Sequence, residues 1–221
     1  MLTTLLAAVL SVASAQETLE LGRLTDDDIS VVQKTLYPKE GRTEFGVHLG
    51  VMPFDAFLVT PNLQVSFDKH SSDRFSIGAL VGVGYGLQNV TSRTLGSPTY
   101  GVVPYAYRYL GSALVGFQAA PIYAKMNLNG ARVVHFDVYF AGRGGVSLER
   151  SIVPDGSFAV APTLSPGIGS RFFLGPNTAL RVELRDDVLL ERRALTDKWA
   201  IKQNAGVTVG ITMFSKVEGR P

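Results

Sequence analysis

Residues 75–87 alternate between apolar positions and small ones. Every odd position is apolar, and every even position except Leu80 is Ser or Gly. Because successive side chains of a β-strand point to opposite faces, this run predicts a strand with one apolar face and one nearly bare face. Seven further segments repeat the period of two and predict a total of eight strands. These segments are residues 45–51, 57–67, 113–126, 133–149, 158–174, 180–191 and 206–213.

The two faces of these segments favour a membrane protein over a soluble periplasmic β-sandwich. Opposite the apolar face, the first, third and last segments carry mainly Gly, Ser and Thr, which suit a solvated exterior poorly. Small side chains suit the narrow, side-chain-filled lumen of an eight-stranded barrel. The predicted fold class is therefore all-β: an eight-stranded antiparallel up-and-down transmembrane β-barrel with a short N-terminal periplasmic helix.

The two ends of the chain are predicted to lie outside the barrel. Residues 1–15 are a short apolar run that ends in an Ala-Ser-Ala cleavage pattern, and they predict a signal peptide although no Lys or Arg precedes the apolar core. Residues 16–42 form a polar periplasmic segment, in which Thr25 and the three Asp residues after it predict the start of the short helix. The barrel takes residues 43–214, and residues 215–221 are a polar tail.

Loop lengths predict the orientation of the barrel. Short turns are expected at residues 68–74, 127–131 and 175–178, and a long connection is expected at residues 88–112. In outer-membrane barrels the short turns face the periplasm and the longer loops face outward. We therefore predict a protein of the Gram-negative cell outer membrane with both termini in the periplasm.

Composition narrows the range of partners. The 21 basic and 19 acidic residues give a formal net charge of +2, and no basic block is present, so nucleic acid is not an expected partner. The lack of cysteine excludes disulfides and thiolate metal sites. The expected partners are outer-membrane lipid and other envelope proteins, periplasmic or at the cell surface. No cofactor is predicted.

Charged residues on the inward faces of the fifth, sixth and seventh segments predict what fills the lumen. Buried charges must be paired, so Arg171 and the alternating charges of residues 181–191 are expected to form a ladder of ion pairs. A porin-like charged channel is the alternative, but about eight strands leave room only for side chains, which favours a plugged barrel. The predicted lumen polar network consists of His48, His135, Asp137, Tyr139, Arg143, Arg171, Arg181, Glu183, Arg185 and Asp187.

Catalysis and metal binding are the chemical alternatives for the inward face. A hydrolase needs its nucleophile and base in contact, but His135 and Ser147 are about 40 Å apart along one strand, at about 3.3 Å per residue. A metal site of His48, His135 and Asp137 would need closer convergence and supporting hydrogen bonds. We predict no enzymatic activity, no catalytic residue and no metal ligand.

Three tyrosines precede the fourth segment. Tyr105, Tyr107 and Tyr109 share one face of an extended stretch. Tyr is favoured both at protein interfaces and in the aromatic girdle of membrane barrels. Both interpretations stay open, and the girdle is preferred because the stretch leads directly into a strand.

Several stretches resemble one family of barrels. They are residues 31–42, which lead into the first segment, residues 121–125 followed by 133–137, and residues 167–174 and 180–186. Over about residues 25–214 the chain resembles the short outer-membrane β-barrel family common in myxobacteria and related gliding or predatory bacteria. The resemblance implies a barrel in the outer membrane. It leaves the activity open, although some similar barrels belong to gliding and adhesion assemblies.

The sequence thus predicts a non-enzymatic outer-membrane β-barrel that is a structural or docking component of an envelope complex. The resemblance implies gliding motility or adhesion as the process that such a complex serves. A narrow pore or small-ligand transport barrel is the alternative, and a lipid-modifying outer-membrane enzyme is the less favoured third hypothesis.

Overall fold

The long strands follow the predicted alternation, except for the one that contains residues 113–126. The computed structural model describes residues 36–128, 132–153, 156–193 and 198–216, and within them the chain forms an all-β, antiparallel, up-and-down sheet of nine strands. The strands are β1 (Thr43–Met52), β2 (Leu58–His70), β3 (Phe75–Gly84), β4 (Leu87–Gln88), β5 (Tyr107–Leu128), β6 (Arg132–Ser151), β7 (Phe158–Gly175), β8 (Thr178–Arg193) and β9 (Lys198–Phe214), with a short helix α1 (Val90–Leu95) after β4. The predicted signal peptide and the helix predicted at Thr25 lie outside the described residues.

Each of the eight long strands is paired on both sides. The order is β1-β9-β8-β7-β6-β5-β3-β2, and β1 also pairs with β2, so that the two ends of the order meet. The two-residue strand β4 pairs with the start of β2, where Leu58 lies opposite Gln88. Among the described residues no long strand therefore keeps a free edge, which would otherwise invite pairing with another chain.

The strand connections distinguish two ends of this closed sheet. The "turn end" carries the short connections at residues 71–74 and 176–177, together with residues 36–42 before β1 and residue 215 after β9. The "loop end" carries residues 53–57 and the longest connection, residues 85–106, which contains β4 and α1. The predicted turn at 68–74 and loop at 88–112 are both longer than the observed connections, because β2 extends to His70 and β5 already begins at Tyr107.

Two irregularities in β5 explain why this segment alternates poorly in the sequence. The pairing of β5 with β6 shifts register between Tyr109 and Gly111, and again between Ala119 and Ile122 beside Pro121. An extra residue in one strand reverses which positions face inward. In β5 the odd-numbered residues face inward before the first shift, as Tyr109 does. After that shift the even-numbered residues face inward, as Gln118 does.

The distribution of polarity is inverted relative to a water-soluble protein. In β1, Leu49 is 69% exposed while its neighbour His48 is 3% exposed. Among the described residues, buried polar and charged side chains outnumber buried hydrophobic ones, and large apolar side chains cover the outside of every long strand. Soluble proteins seldom bury charges or expose apolar surface on this scale.

None of the helical structure in the described part of the chain is long and apolar enough to cross a membrane.

Candidate functional site

A continuous series of ion pairs runs through the interior from the turn end. Lys39 pairs with Asp137, which also lies 3.5 Å from Arg171 Nη1. Arg171 Nε lies 3.4 Å from Glu44 Oε1, which in turn lies 3.7 Å from Arg181 Nη1. We call the connected set the central network; it consists of four cations, Lys39, Arg143, Arg171 and Arg181, and four carboxylates, Glu44, Asp68, Asp137 and Glu183.

Arg181 is the branching point of the central network. Besides Glu44, its guanidinium contacts Asp68 Oδ2 at 3.3 Å and Glu183 Oε2 at 2.7 Å. Arg143 donates two hydrogen bonds to Glu183, from Nη1 to Oε1 at 2.6 Å and from Nη2 to Oε2 at 3.0 Å. A planar guanidinium has five N–H donors in a fixed arrangement, so it can serve several buried carboxylates at once. This geometry compensates the charges that the closed sheet has removed from water.

Tyr139 lies between the two central arginines and is completely buried. The carbon at the centre of each guanidinium lies close to the tyrosine ring centroid, at 4.5 Å for Arg171 and 4.7 Å for Arg181. The Tyr139 hydroxyl accepts a hydrogen bond from Arg181 Nε at 2.6 Å and donates one to Glu183 Oε2 at 2.7 Å. Gly169 opposite makes this possible, because a Cβ there would overlap the Tyr139 ring.

A second, smaller polar group lies nearer the loop end. Arg185 Nη2 donates to Asp187 Oδ2 at 2.9 Å, and Arg185 Nη1 donates to Gln64 Oε1 at 3.0 Å. Asp187 also accepts a hydrogen bond from the Ser165 hydroxyl at 2.5 Å. The structure therefore places the alternating charges of β8 side by side on the inward face, where Arg181, Glu183, Arg185 and Asp187 are all buried.

The two histidines predicted for the lumen network lie in different places. His48 is buried in the middle of β1, and its Nε2 lies 2.9 Å from Ser66 Oγ, beside Gly46 and Gly210, where a Cβ would collide with its ring. His135 is only partly buried and belongs to an aromatic cluster at the turn end instead of the ion-pair series. Its ring contacts Tyr37 and Tyr123, and its Nδ1 lies 3.2 Å from the Tyr123 hydroxyl.

Residues 37–42 close the turn end. Tyr37 stacks on Phe173 with ring centroids 5.2 Å apart, and the Lys39 side chain enters the barrel to reach Asp137. Arg42 donates to the carbonyl of Ser215 at 2.7 Å, and its guanidinium also bonds to Pro176 and Asn177 and lies over Phe214. These contacts tie the segment before β1 to both the β7–β8 turn and the C-terminal end of β9. We call residues 37–42 the turn-end seal.

Lys39 is unusually placed for a lysine outside any strand. It is 2% exposed. Burial, and secondarily the positive charge of Arg171, lower the pKa of Lys39, whereas Asp137 opposes the shift. The ammonium is thus held by its pairing with Asp137 in surroundings that otherwise disfavour its charge. The seal is therefore attached electrostatically to the central network.

The structure corrects the predicted face of two tyrosines. Tyr107 and Tyr109 are 3% and 1% exposed and point into the barrel, so they form neither a girdle nor an interface. The cause is the register shift in β5 just after Tyr109, which reverses the inward face. The Tyr109 hydroxyl donates to Ser112 Oγ at 2.8 Å. Tyr105, before the strand, is partly buried, and its hydroxyl lies 3.0 Å from that of Tyr107.

The loop end holds a group of charges of which only Glu191 belongs to the ladder predicted for residues 181–191. Lys202 Nζ lies 3.0 Å from Glu149 Oε1, 3.3 Å from Asp55 Oδ2 and 3.4 Å from Glu191 Oε1. It also donates to the carbonyl of Tyr107 at 2.8 Å. We call Asp55, Glu149, Glu191 and Lys202 the mouth cluster. Above it a cavity of about 230 Å³ opens at the loop end.

Some members of these groups could have been found from the period of two, and others could not. Asp68 shares the inward face of Gln64 and Ser66, but it fell in a predicted turn; β2 continues through it. Lys202 lies in the part of β9 before residue 206, where the predicted segment began. Lys39 lies outside every strand, so no alternation could have placed it in the interior.

The structure brings together the residues of neither chemical site considered from the sequence. These were the hydrolase pair His135 and Ser147 and the metal site of His48, His135 and Asp137. His48 contacts Ser66, whereas Asp137 is paired with Lys39 and Arg171 at the turn end. Within the described ranges no three His, Cys, Asp or Glu side chains are arranged to hold a metal ion. Ser147 accepts a hydrogen bond from the Thr163 hydroxyl at 2.7 Å.

Comparisons with known proteins give fold similarities only. No family model and no curated protein sequence matches the chain. Ail, the attachment invasion locus protein of Yersinia pestis, is similar with a TM-score of 0.43 and 12% identity, over 80% of this chain and 99% of that chain. The outer membrane protein OprG from Pseudomonas aeruginosa is similar with a TM-score of 0.43 and 10% identity, over 81% and 98%. A de novo designed transmembrane β-barrel gives 0.39 and 13%, over 80% and 98%. Similarity at this level carries no conclusion about what this chain binds or does.

Proposed function

We propose that the protein is an eight-stranded transmembrane barrel of the bacterial outer membrane, with a sealed lumen, and that it is a structural or docking component of an envelope complex. The inverted polarity supports the membrane location, because apolar side chains outside and charged ones inside are the pattern of transmembrane barrels. Closed pairing supports it as well, since lipid cannot satisfy a free strand edge.

The dimensions of the strands fit a membrane span. Even β1, with ten residues, reaches about 33 Å at about 3.3 Å per residue, or about 25 Å across the membrane at a tilt of about 40°. That matches the apolar band of about 25 Å on such barrels. The longer strands β5 and β6 extend beyond it.

The central network is the observation that favours a sealed lumen over a narrow pore. Its eight charged residues contact one another in series across the interior, and their formal charges balance. Tyr139 is completely buried between two of the arginines, and Tyr37 of the turn-end seal stacks on Phe173. A sealed lumen would leave the surfaces at the two ends as the places where the protein contacts its partners.

The exposed loop end supports a docking role. Val90 of α1 is 78% exposed, and Tyr100, Val102 and Val103 in the same connection are more than half exposed. Apolar side chains gathered on an exposed loop are typical of an interaction site. A role in gliding motility or adhesion rests on the resemblance to the myxobacterial family. The proposal includes no enzymatic step.

In the proposed orientation the loop end faces the cell exterior, and the turn end with both termini faces the periplasm. Thiol labelling of whole cells tests this location and orientation, because the chain has no native cysteine. Arg93→Cys on α1 should react with a membrane-impermeant maleimide in intact cells. Glu40→Cys at the turn end should react only after the outer membrane is permeabilised. Labelling of both sites in intact cells, or of neither, would contradict the proposed orientation.

Crosslinking tests the docking role. A photoreactive amino acid at Val90 or Tyr100 should give one reproducible heavier species in cells, and the same probe at the lipid-facing Leu49 should not. If the loop probes yield no protein adduct while Leu49 behaves as expected, the docking role is wrong and the barrel assignment stands.

A further inference from the structure

Two arginines lie directly opposite each other on the outer wall of the barrel. Arg108 of β5 and Arg150 of β6 are cross-strand partners near the loop end. Their neighbours Tyr109 and Glu149 are buried, so both arginines point outward, because successive side chains of a strand face opposite ways. Directly opposed side chains have Cβ atoms about 5 Å apart, and like charges at such positions destabilise the pairing. The outer wall thus carries two positive charges at one place.

Neither guanidinium group is neutralised within the described part of the chain. Arg150 forms no ion pair or hydrogen bond there, and its guanidinium carbon lies 5.8 Å from the Phe158 ring centroid. Arg108 donates a hydrogen bond to the Tyr85 hydroxyl, whereas its Nε is buried without an acceptor. Both side chains therefore keep N–H donors for an anion from outside the chain.

The two arginines lean to opposite sides of the strand pair that carries them. In the order β3-β5-β6-β7, Arg108 contacts Tyr85, which follows β3, and Arg150 contacts Phe158 of β7. Arg150 Nη2 also lies beside the backbone of Gly156, where an added Cβ would be 3.3 Å away. An anion seated over the β5–β6 pair is therefore flanked by a guanidinium group on each side.

The pair lies where the apolar outer wall ends. Leu148 and Val160, which oppose each other one step nearer the turn end on β6 and β7, are exposed apolar residues. Phe158, directly opposite Arg150, and Tyr85 are exposed aromatic residues. Aromatic side chains form girdles at the level of the lipid headgroups in membrane barrels. The two guanidinium groups therefore lie at headgroup level.

We propose that Arg108 and Arg150 together bind the phosphate group of a membrane lipid whose acyl chains lie against the apolar wall on the turn-end side of the pair. A guanidinium group presents parallel N–H donors that match phosphate oxygens, and phosphate supplies the negative charge that the pair lacks. The lipid source rests on the membrane location proposed above. With the loop end outward, this lipid belongs to the outer leaflet.

Native mass spectrometry of the folded protein in a non-ionic detergent tests the site. Dioctanoyl phosphatidic acid is the probe. Dioctanoylglycerol has the same chains without the phosphate, and inorganic phosphate has the anion without the chains. Phosphatidic acid should remain bound to the barrel, and the two matched compounds should not. Retention of dioctanoylglycerol or of inorganic phosphate to the same extent as phosphatidic acid would overturn the proposal.

Variants locate the site. Arg108→Gln and Arg150→Gln should each weaken phosphatidic acid binding by about tenfold or more, since each removes a charged hydrogen-bond donor. Arg74→Gln, at an exposed arginine of the β2–β3 turn, is the matched control and should leave the binding unchanged. Binding that neither loop-end variant weakens, or that all three variants weaken equally, would contradict the assignment.

Charge reversal separates a lipid site from a purely structural pair. Arg150→Glu would place a carboxylate opposite Arg108 and make the repulsive pair attractive. In micelles without added lipid, this variant should unfold at a higher urea concentration than Arg150→Gln, and it should not retain phosphatidic acid. A variant that unfolds at a lower urea concentration than Arg150→Gln, or that still retains the lipid, would contradict the proposal.

The outcome separates this site from the proposed function. If phosphatidic acid fails to bind while α1 is labelled from outside the cell, the lipid site is wrong and the barrel stands. If phosphatidic acid binds but the labelling shows the reverse orientation, the site is supported and its lipid belongs to the periplasmic leaflet.

Discussion

The central network and the mouth cluster differ in the number of cations per carboxylate and in access to water. The central network pairs four cations with four carboxylates and has no room for a ligand, since Arg171 is 1% exposed and Tyr139 is completely buried. The mouth cluster has one cation for three carboxylates and opens into a cavity, and its Lys202 side chain is 16% exposed. Buried charge therefore has two settings in this molecule. The central network fills the interior, whereas the mouth cluster lies beside an open cavity.

Removing Arg181, the branching point of the central network, should produce the largest loss in the free energy of unfolding. Arg181→Met would leave Glu44, Asp68 and Glu183 short of one positive charge in the interior. Breaking a buried pair in this way costs about 3–5 kcal/mol. Urea unfolding in micelles, followed by the mobility shift of the folded barrel on gels, measures the loss. Arg93→Met on the exposed face of α1 is the control and should change little. Equal stability of the two variants would mean that the central network contributes nothing.

A smaller loss is expected from filling the space opposite Tyr139. In Gly169→Ala the added Cβ would overlap the Tyr139 ring and approach the backbone carbonyl of Val182. Overpacking of this kind costs about 1–3 kcal/mol. Gly175→Ala on the same strand is the matched control, because its Cβ would meet no atom within 4 Å. The same unfolding assay compares them, and a loss confined to Gly175→Ala would refute the packing argument.

A loss smaller than that of Arg181→Met is expected at the mouth. Lys202→Met removes the cation beside the buried Glu149 and Glu191, but water reaches the Lys202 side chain, which is 16% exposed, so the loss in the free energy of unfolding should lie at the lower end of the range for a broken buried pair, about 3 kcal/mol or less. Lys198→Met, exposed at the start of β9, is the control. A loss as large as that of Arg181→Met would remove the distinction between the two regions.

How much the sequence predicts depends on whether a strand is regular. Along β8 no shift interrupts the alternation, and the inward positions of Arg181, Glu183, Arg185 and Asp187 follow directly from the period of two. In β5 two shifts reverse the faces, and the predicted side for Tyr107 and Tyr109 is therefore wrong. Single-sequence patterns contain no reliable mark of a bulge, apart from Pro121 beside the second one.

The candidate sites depended on contacts between distant parts of the chain. The Lys39–Asp137 pair joins residues 98 positions apart, and Lys202 and Glu149 are 53 positions apart. The period of two and the composition can show that inward charges need partners. Only the register of the closed sheet determines which residues pair with each other. The grouping of Asp55, Glu149 and Glu191 around Lys202 became visible only once that register was known.

Conductance through planar lipid bilayers tests the sealed, charge-filled lumen most directly. Wild-type protein, with insertion verified by protection of its strands from protease, should give no reproducible open state at any holding voltage, while a porin inserted in parallel gives steady steps. Stable unitary currents from the wild-type barrel that scale with salt concentration would contradict the account.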